Sequence, residues 1–358
     1  MIRRFAALLA LCGLATAGAA QTAPAPILDP AQIGALAENR GFSGVILISR
    51  GDTIIYERAF GNVRPGDGEP HNLDARWRWA SITKQIVATI VMQEAAAGRI
   101  DLDAPIGRYW PDFITPYSDR ITARHLLGHL SGLPDPENTP RLPTGLPAFY
   151  SGDISAEGYC MGPPLAAPGT AYRYNNCDYI VLGKILERVS GQSLGALIEA
   201  RIPGGAQLFP DGAETVPGFH FGQAEPPIPF AVYGAAGGMN GTLHDLWRFD
   251  RALMTGTLIP DDARELMWTG DPAIGYAALG QWVFDAPLSG CASPQRLVER
   301  HGAIGGVQGR NFILPDRDIV VIAFTNRSEG EFDFGQIWRG EGFAYDLLMR
   351  AVCSGLSE

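Results

Sequence analysis

SITKQIVATIVMQEAAAG, residues 81–98, is apolar around more than one face of a helix: Ile86, Val87, Ile90, Val91 and Ala95 spread over it, and Gly98 supplies a stop. A helix this apolar belongs at the centre of a protein, so residues 82–97 set the axis about which the rest must pack. At its head Ser81 and Lys84 stand three residues apart on one face, with the hydroxyl near the helix N-terminus. Burial disfavours an ammonium and lowers the lysine pKa toward a value at which it accepts the serine proton. The positive end of the helix favours an anion formed there. Ser81 is therefore read as a nucleophile and Lys84 as its base. The spacing alone is a weak signal; its place at the head of a buried helix strengthens it.

Lysine usage adds weight to Lys84. The chain has 26 Arg and two Lys, Lys84 and Lys184. An amine can lose its proton near neutral pH and a guanidinium cannot, so a lysine kept among arginines invites a chemical question. Lys184 is expected to face solvent.

Outward from the central helix, the N-terminal side reads as helix and hairpin. Asp29-Pro30 is a helix start, and GVILIS (44–49) and TIIYER (53–58), joined by Arg50-Gly51-Asp52, form two strands. On the C-terminal side helices are expected at 121–130, 177–190 and 243–254, the last with Thr242 and Asp245 as a capping pair. Strands follow at 297–301, 311–314 and 319–325, and a final helix at 336–352. The order predicts an α+β fold: an antiparallel sheet flanked by helices, built from residues 27–80 and 252–358, with a mostly helical domain, 81–251, inserted. The long loops 134–170 and 203–240 would shape a cleft between the layers.

The first residues set the expected compartment. Arg3 and Arg4 precede an apolar run from Phe5 to Ala15 and the small residues Ala17-Gly18-Ala19-Ala20, which is the pattern of a signal peptide over residues 1–20. The run is shorter than the roughly 18–20 residues of a transmembrane helix, and Leu11 is too bulky for a lipid-attachment site at Cys12. A periplasmic or secreted protein without a stable membrane anchor is expected. The net charge of −10 and the singly scattered basic residues exclude a nucleic-acid partner and leave a small-molecule or peptide substrate, with the oligomeric state open. Beyond the leader stand Cys160, Cys177, Cys291 and Cys353, and an even number in an exported chain suggests disulfides. Three pairings are possible. Cys160–Cys177 with Cys291–Cys353 is preferred, since the first closes a short loop and the second pins the last helix to the strand region.

Two further groups carry chemistry: Tyr174-Asn175-Asn176, where a loop enters a helix, and His301-Gly302-Ala303-Ile304 on a late strand. Ser-x-x-Lys, then Tyr-x-Asn about ninety residues on, then a basic residue followed by two small ones resembles the serine β-lactamase and penicillin-binding enzyme superfamily, closest to its class C branch. FSGVILISRG, ITARHLLGHLSGLP, GAAGGMNGTLHDLWRF and GYAALGQWVF extend the resemblance over nearly the whole chain. It implies that Tyr174 shares the proton with Lys84, and that Asn176 holds Lys84 and the substrate's amide carbonyl. It also implies that His301 completes the proton network and that the Ile304 N–H joins that of Ser81 in an oxyanion hole. Two departures stand out. His301 replaces the lysine usual in β-lactamases of this branch, as in the family's D,D-peptidases and esterases, and Ala303 stands where glycine is usual.

The resemblance implies a serine hydrolase acting through a Ser81 acyl-enzyme on an amide, β-lactam or ester, needing neither metal nor other cofactor. The alternative is a penicillin-binding-like protein that acylates without turnover or binds cell-wall fragments. His125 and His129, four apart, are read as structural, since no third ligand accompanies them. Arg310 and Asn326 lie where relatives bind a substrate carboxylate, with a surface role equally open.

Overall fold

In the computed structural model, which describes residues 28–353 other than 67, 153 and 210–213, the Asp29 side chain accepts the Ala31 N–H and Pro30 occupies the first helical position. Helix α1 accordingly runs Pro30–Asn39. The leader assigned to residues 1–20 lies outside the described residues. Strands β1 (Gly44–Arg50) and β2 (Thr53–Phe60) form the expected hairpin. From the other end of the chain come β3 (Trp282–Ala286), β4 (Gln295–Ile304), β5 (Val307–Leu314) and β6 (Ile319–Thr325). Together they make a six-stranded antiparallel main sheet in the order β2-β1-β6-β5-β4-β3, with Gly44 opposite Thr325 and Arg50 opposite Ile319.

Both faces of this sheet are covered, which is why β1 and β6 read as continuous apolar runs. Side chains alternate between faces along a strand. Val45, Leu47, Ile322 and Phe324 join one core, with Ile82, Ile86 and Ile90. Ile46, Ile48, Val321 and Ala323 join the other, with Ile33 of α1 and Leu347 of the last helix, Phe343–Val352. Burying each such side chain contributes about 1.5–3 kcal/mol.

Helix α2 (Thr83–Ala96) follows a 3-10 turn at Ala80–Ile82 and is buried continuously from Thr83 to Met92. Glu94 is buried too, paired with Arg99 and Arg201. A small sheet of Trp77–Arg78, Met239–Gly241 and Gln207–Leu208 holds the entry to α2. Helix α3 (Cys177–Ser190) ends at Gly191 with φ 69°, and α4 (Leu243–Met254) begins with the Thr242–Asp245 capping box.

Two helices are shorter than their sequence pattern suggests. Residues 121–130 yield Ala123–Leu127, because Gly128 ends the helix and His129 turns to φ 57°. The last helix starts at Phe343 rather than 336, since Gly340 and Gly342, with φ of 70° and 104°, leave an isolated turn at Ile337–Arg339 ahead of it. The disulfides join Cys160 to Cys177 and Cys291 to Cys353. No helix among the described residues is long and apolar enough to cross a membrane.

Candidate active site

The site is assembled at the head of α2. Ala80 holds φ 48°, a left-handed conformation that a non-glycine residue keeps where its surroundings impose it. The Trp79 N–H bonds to Met239 O, and the chain then turns so that Ser81 heads the helix, half-buried. Lys84 Nζ lies 3.0 Å from Ser81 Oγ, 2.8 Å from Asn176 Oδ1 and 2.6 Å from Ala236 O. The two carbonyl oxygens take two N–H groups, so in a neutral amine the lone pair faces the serine hydroxyl. Burial, and secondarily the positive charge of Arg300, holds the Lys84 pKa below that of an ordinary lysine, against the opposing pull of Tyr174.

Asn176 is fixed in the orientation this requires. Its Nδ2 donates to Tyr150 Oη at 2.7 Å, which turns Oδ1 toward Lys84. Its backbone N–H bonds to Asp135 Oδ1, and Cys177, the next residue, is tied to Cys160. The head of α3 is thereby anchored on two sides.

Tyr174 Oη donates to Ser81 Oγ at 2.7 Å and accepts from Arg300 Nη2 at 2.7 Å. Burial pushes the phenol pKa up, but the charges of Arg300 and Lys84 outweigh it and bring it down to about 8. Behind the ring, His129 lies 4.4 Å away, centroid to centroid, and its Nδ1 is 3.2 Å from Asp178 Oδ2. Asp178 also accepts from Ser131 and Asn175. His129 is thus part of a buried scaffold. His125 caps its own helix through Thr122, and Lys184 is partly exposed beside Glu187 and Glu157.

The late strand enters one residue out of step with the sequence reading. Arg300, not His301, reaches Tyr174; its Nε also donates to Ser81 O at 2.8 Å. His301 stacks on Trp282 at 4.9 Å, with Nδ1 3.5 Å from Glu299 Oε1. Gly302 passes so close to Ser81 that a Cβ there would stand 2.3 Å from Trp79 O and 2.8 Å from Ser81 N. A motif read as Arg300-His301-Gly302 restores glycine at the third position, and that was the available signal. The anomaly at Ala303 disappears with the shift.

The same shift bears on the N–H expected at Ile304. Strands β4 and β5 meet in a two-residue turn, Gly305-Gly306, with Ile304 opposite Val307. The pair flanking such a turn exchanges both ladder hydrogen bonds, so the Ile304 N–H is directed at β5. The Ala303 N–H points to the opposite edge, where pairing with β3 has ended at Glu299. The N–H left free of the ladder on the Ser81 side is thus that of Ala303 rather than Ile304, and the Ser81 N–H stands at a helix start, where amides lack intrahelical acceptors. Ile304 O instead accepts from Arg78, whose partner Glu225 also binds the Gly306 and Gly218 N–H groups.

Two cavities open beside Ser81. One, of 280 Å³, is bordered by Asn176, Tyr233, Gly237, Glu137 and Arg141. The other, of 370 Å³, is bordered by Trp282, His301 and Glu329; Tyr174 and Ala303 line both. Arg310 is buried with its guanidinium over the Phe334 ring, and Asn326 donates to Val63 O and Pro217 O.

A family model described as Beta-lactamase matches residues 31–345. The chain is 32% identical over 193 residues to the esterase EstB of Burkholderia gladioli, covering 49% of this chain and 48% of that protein, so it matches about half the relative's length. It is 24% identical over 330 residues to penicillin-binding protein 4* of Bacillus subtilis (strain 168), covering 82% of this chain and 70% of that protein. Among solved structures, D-amino acid amidase from Ochrobactrum anthropi SV3 superposes with a TM-score of 0.71 at 21% identity, over 90% of this chain and 96% of the other, a likeness of fold.

Proposed function

The chain belongs to the beta-lactamase family, and on that footing we propose that it is an exported serine hydrolase that works through an acyl-enzyme on Ser81. The observation that carries this reading is the placement of Ser81 Oγ, 3.0 Å from Lys84 Nζ and 2.7 Å from Tyr174 Oη. A hydroxyl between a depressed lysine and a depressed tyrosine can lose its proton as it attacks.

In the proposed cycle Ser81 Oγ bonds to the substrate carbonyl carbon, and its proton passes to Lys84. The carbonyl oxygen becomes an oxyanion facing the Ser81 and Ala303 N–H groups. As the carbon–heteroatom bond breaks, Tyr174 delivers a proton to the leaving group and is resupplied from Lys84. Water then attacks the ester, gives up a proton to the same pair, and Ser81 leaves as the hydroxyl. Arg300 holds Tyr174 and keeps its phenol acidic, the part that the sequence reading gave to His301. Esters, amides and β-lactams all offer the carbonyl that this cycle needs.

Two disulfides support a workplace outside the reducing cytoplasm, in keeping with the leader reading of residues 1–20. The test is intact-mass spectrometry with p-nitrophenyl acetate and, separately, a chromogenic cephalosporin. A hydrolase shows an adduct that forms and decays, absent in Ser81→Ala. An adduct that persists with both compounds would mean a trap, and turnover by Ser81→Ala would end the proposal.

A further inference from the structure

We infer that the cavity beside Trp282 admits uncharged substrate groups and selects against carboxylates, with Glu329 as the discriminating charge. The inference rests on the reading of Ser81 as nucleophile and adds the substrate class. Ser81, Tyr174 and Ala303 form one side of the cavity, so whatever occupies it is bonded close to the reacting carbonyl. Trp282 and His301, stacked with planes 6° apart, form a flat aromatic wall. Glu329, which is exposed, also lines the cavity.

The charges around this space favour that sign. His301 is kept neutral at pH 7, because burial first, and the nearby arginines after it, depress the imidazole pKa against the pull of Glu299. Arg300 is committed to Ser81 O and Tyr174 Oη. Arg310, one of two residues whose chain position suggested a carboxylate contact, is 4% exposed and does not border the cavity. The negative charges of Glu299, Glu329 and Asp333 all act on it. Asn326, the other candidate, spends its amide on backbone carbonyls. A carboxylate entering here meets the Glu329 charge without a free cation among the described lining residues, whereas an ester or a primary amide carries no charge for it to repel.

The test uses two matched substrate pairs. One pair carries the charge on the leaving side, a hippuryl thioester of thioglycolate against its methyl ester. The other carries it on the acyl side, mono-p-nitrophenyl glutarate against p-nitrophenyl valerate. The expected result is that at least one pair favours its neutral member by about three- to tenfold in kcat/KM at low salt, with the preference shrinking as salt is raised. In Glu329→Gln that preference falls toward unity, and in Glu329→Lys it reverses. Equal turnover within both pairs, or a preference that Glu329→Lys leaves in place, overturns the inference. Hydrolysis of p-nitrophenyl valerate by wild type but not by Ser81→Ala reports separately on the nucleophile, so the two readings can fail independently.

Discussion

Arg300 Nη2 donates to Tyr174 Oη at 2.7 Å while the guanidinium carbon sits 4.8 Å over the Trp282 ring, so one arginine both charges and orients the phenol. Removing that charge leaves burial less opposed, and the Tyr174 pKa must rise from its value of about 8. Arg300→Gln is expected to lower kcat/KM for a p-nitrophenyl ester about a hundredfold at pH 7 and to move the alkaline limb of the profile upward. Arg300→Lys should restore part of the rate, because a point charge survives where the two-armed contact does not. A pH profile unmoved in Arg300→Gln would remove Arg300 from the proton network.

Gly302 and Ala303 test the register of the strand. A Cβ at Gly302 would stand 2.3 Å from Trp79 O, so Gly302→Ala must push β4 away from the nucleophile. A displacement approaching 1 Å costs about a hundredfold in rate. Ala303→Gly removes a methyl group without touching the N–H that faces the oxyanion, and the expected change in kcat is within about threefold. Were the motif read from His301, Gly302 would not be its close-approach position and Gly302→Ala would leave kcat near that of wild type. Steady-state kinetics on one ester decides between the registers.

Lys84 makes stability depend on pH with a sign that can be stated in advance. Its pKa is depressed by burial, so between the folded and unfolded values the unfolded chain binds more protons. The wild type therefore gains stability as pH rises through that window. Tyr174, lowered to about 8 from an ordinary value near 10, adds a gain of the same sign between those values. Lys84→Met lacks the first contribution and weakens the second. The melting temperature of the variant minus that of wild type should fall as pH rises toward the ordinary lysine pKa. A difference that stays constant as pH rises would show that the Lys84 pKa is not depressed.

The parts of this site that were legible in the sequence are those fixed by local geometry. Ser81 and Lys84 share a face because helical spacing requires it, and Tyr174 and Asn176 stand two residues apart at the entry to α3. The strand motif was not fixed in this way. Along β4 side chains alternate, and a slip of one residue exchanges every contact, so His301 and Arg300 traded places. The disulfides could be preferred from loop length, whereas Tyr150 and Glu225 reach the site from distant segments that no local pattern marks. Arg78 and Glu225, for example, are 147 residues apart.

The Cys160–Cys177 bridge has a functional side that Cys291–Cys353 lacks. Cys177 follows Asn176 directly, whereas Cys291 and Cys353 join the chain beyond β3 to the end of the last helix. Closing a 17-residue separation is worth about 3 kcal/mol and a 62-residue one about 4 kcal/mol in the chain-entropy account. Cys291→Ser/Cys353→Ser should therefore melt at lower temperature than Cys160→Ser/Cys177→Ser. In activity the order should reverse, with kcat falling more in the variant that frees the head of α3. Thermal melts and kcat measured on the two double variants give both orders at once.

Glu225 ties the oxyanion strand to a loop far from the nucleophile. Its carboxylate pairs with buried Arg78, and its two oxygens accept the Gly218 and Gly306 N–H groups, while Arg78 donates to Ile304 O. This clamp holds the turn that follows Ala303. Breaking one side of a buried pair leaves an uncompensated charge, so Glu225→Gln should cost about 3 kcal/mol of stability. A purely structural role would lower the melting temperature and leave kcat intact in the folded fraction. The clamp predicts a fall in kcat at unchanged KM, because the displaced Ala303 N–H serves the oxyanion more than the bound substrate. Kinetics on protein kept well below its melting temperature separates the two, and a normal kcat there would confine Glu225 to holding the loop.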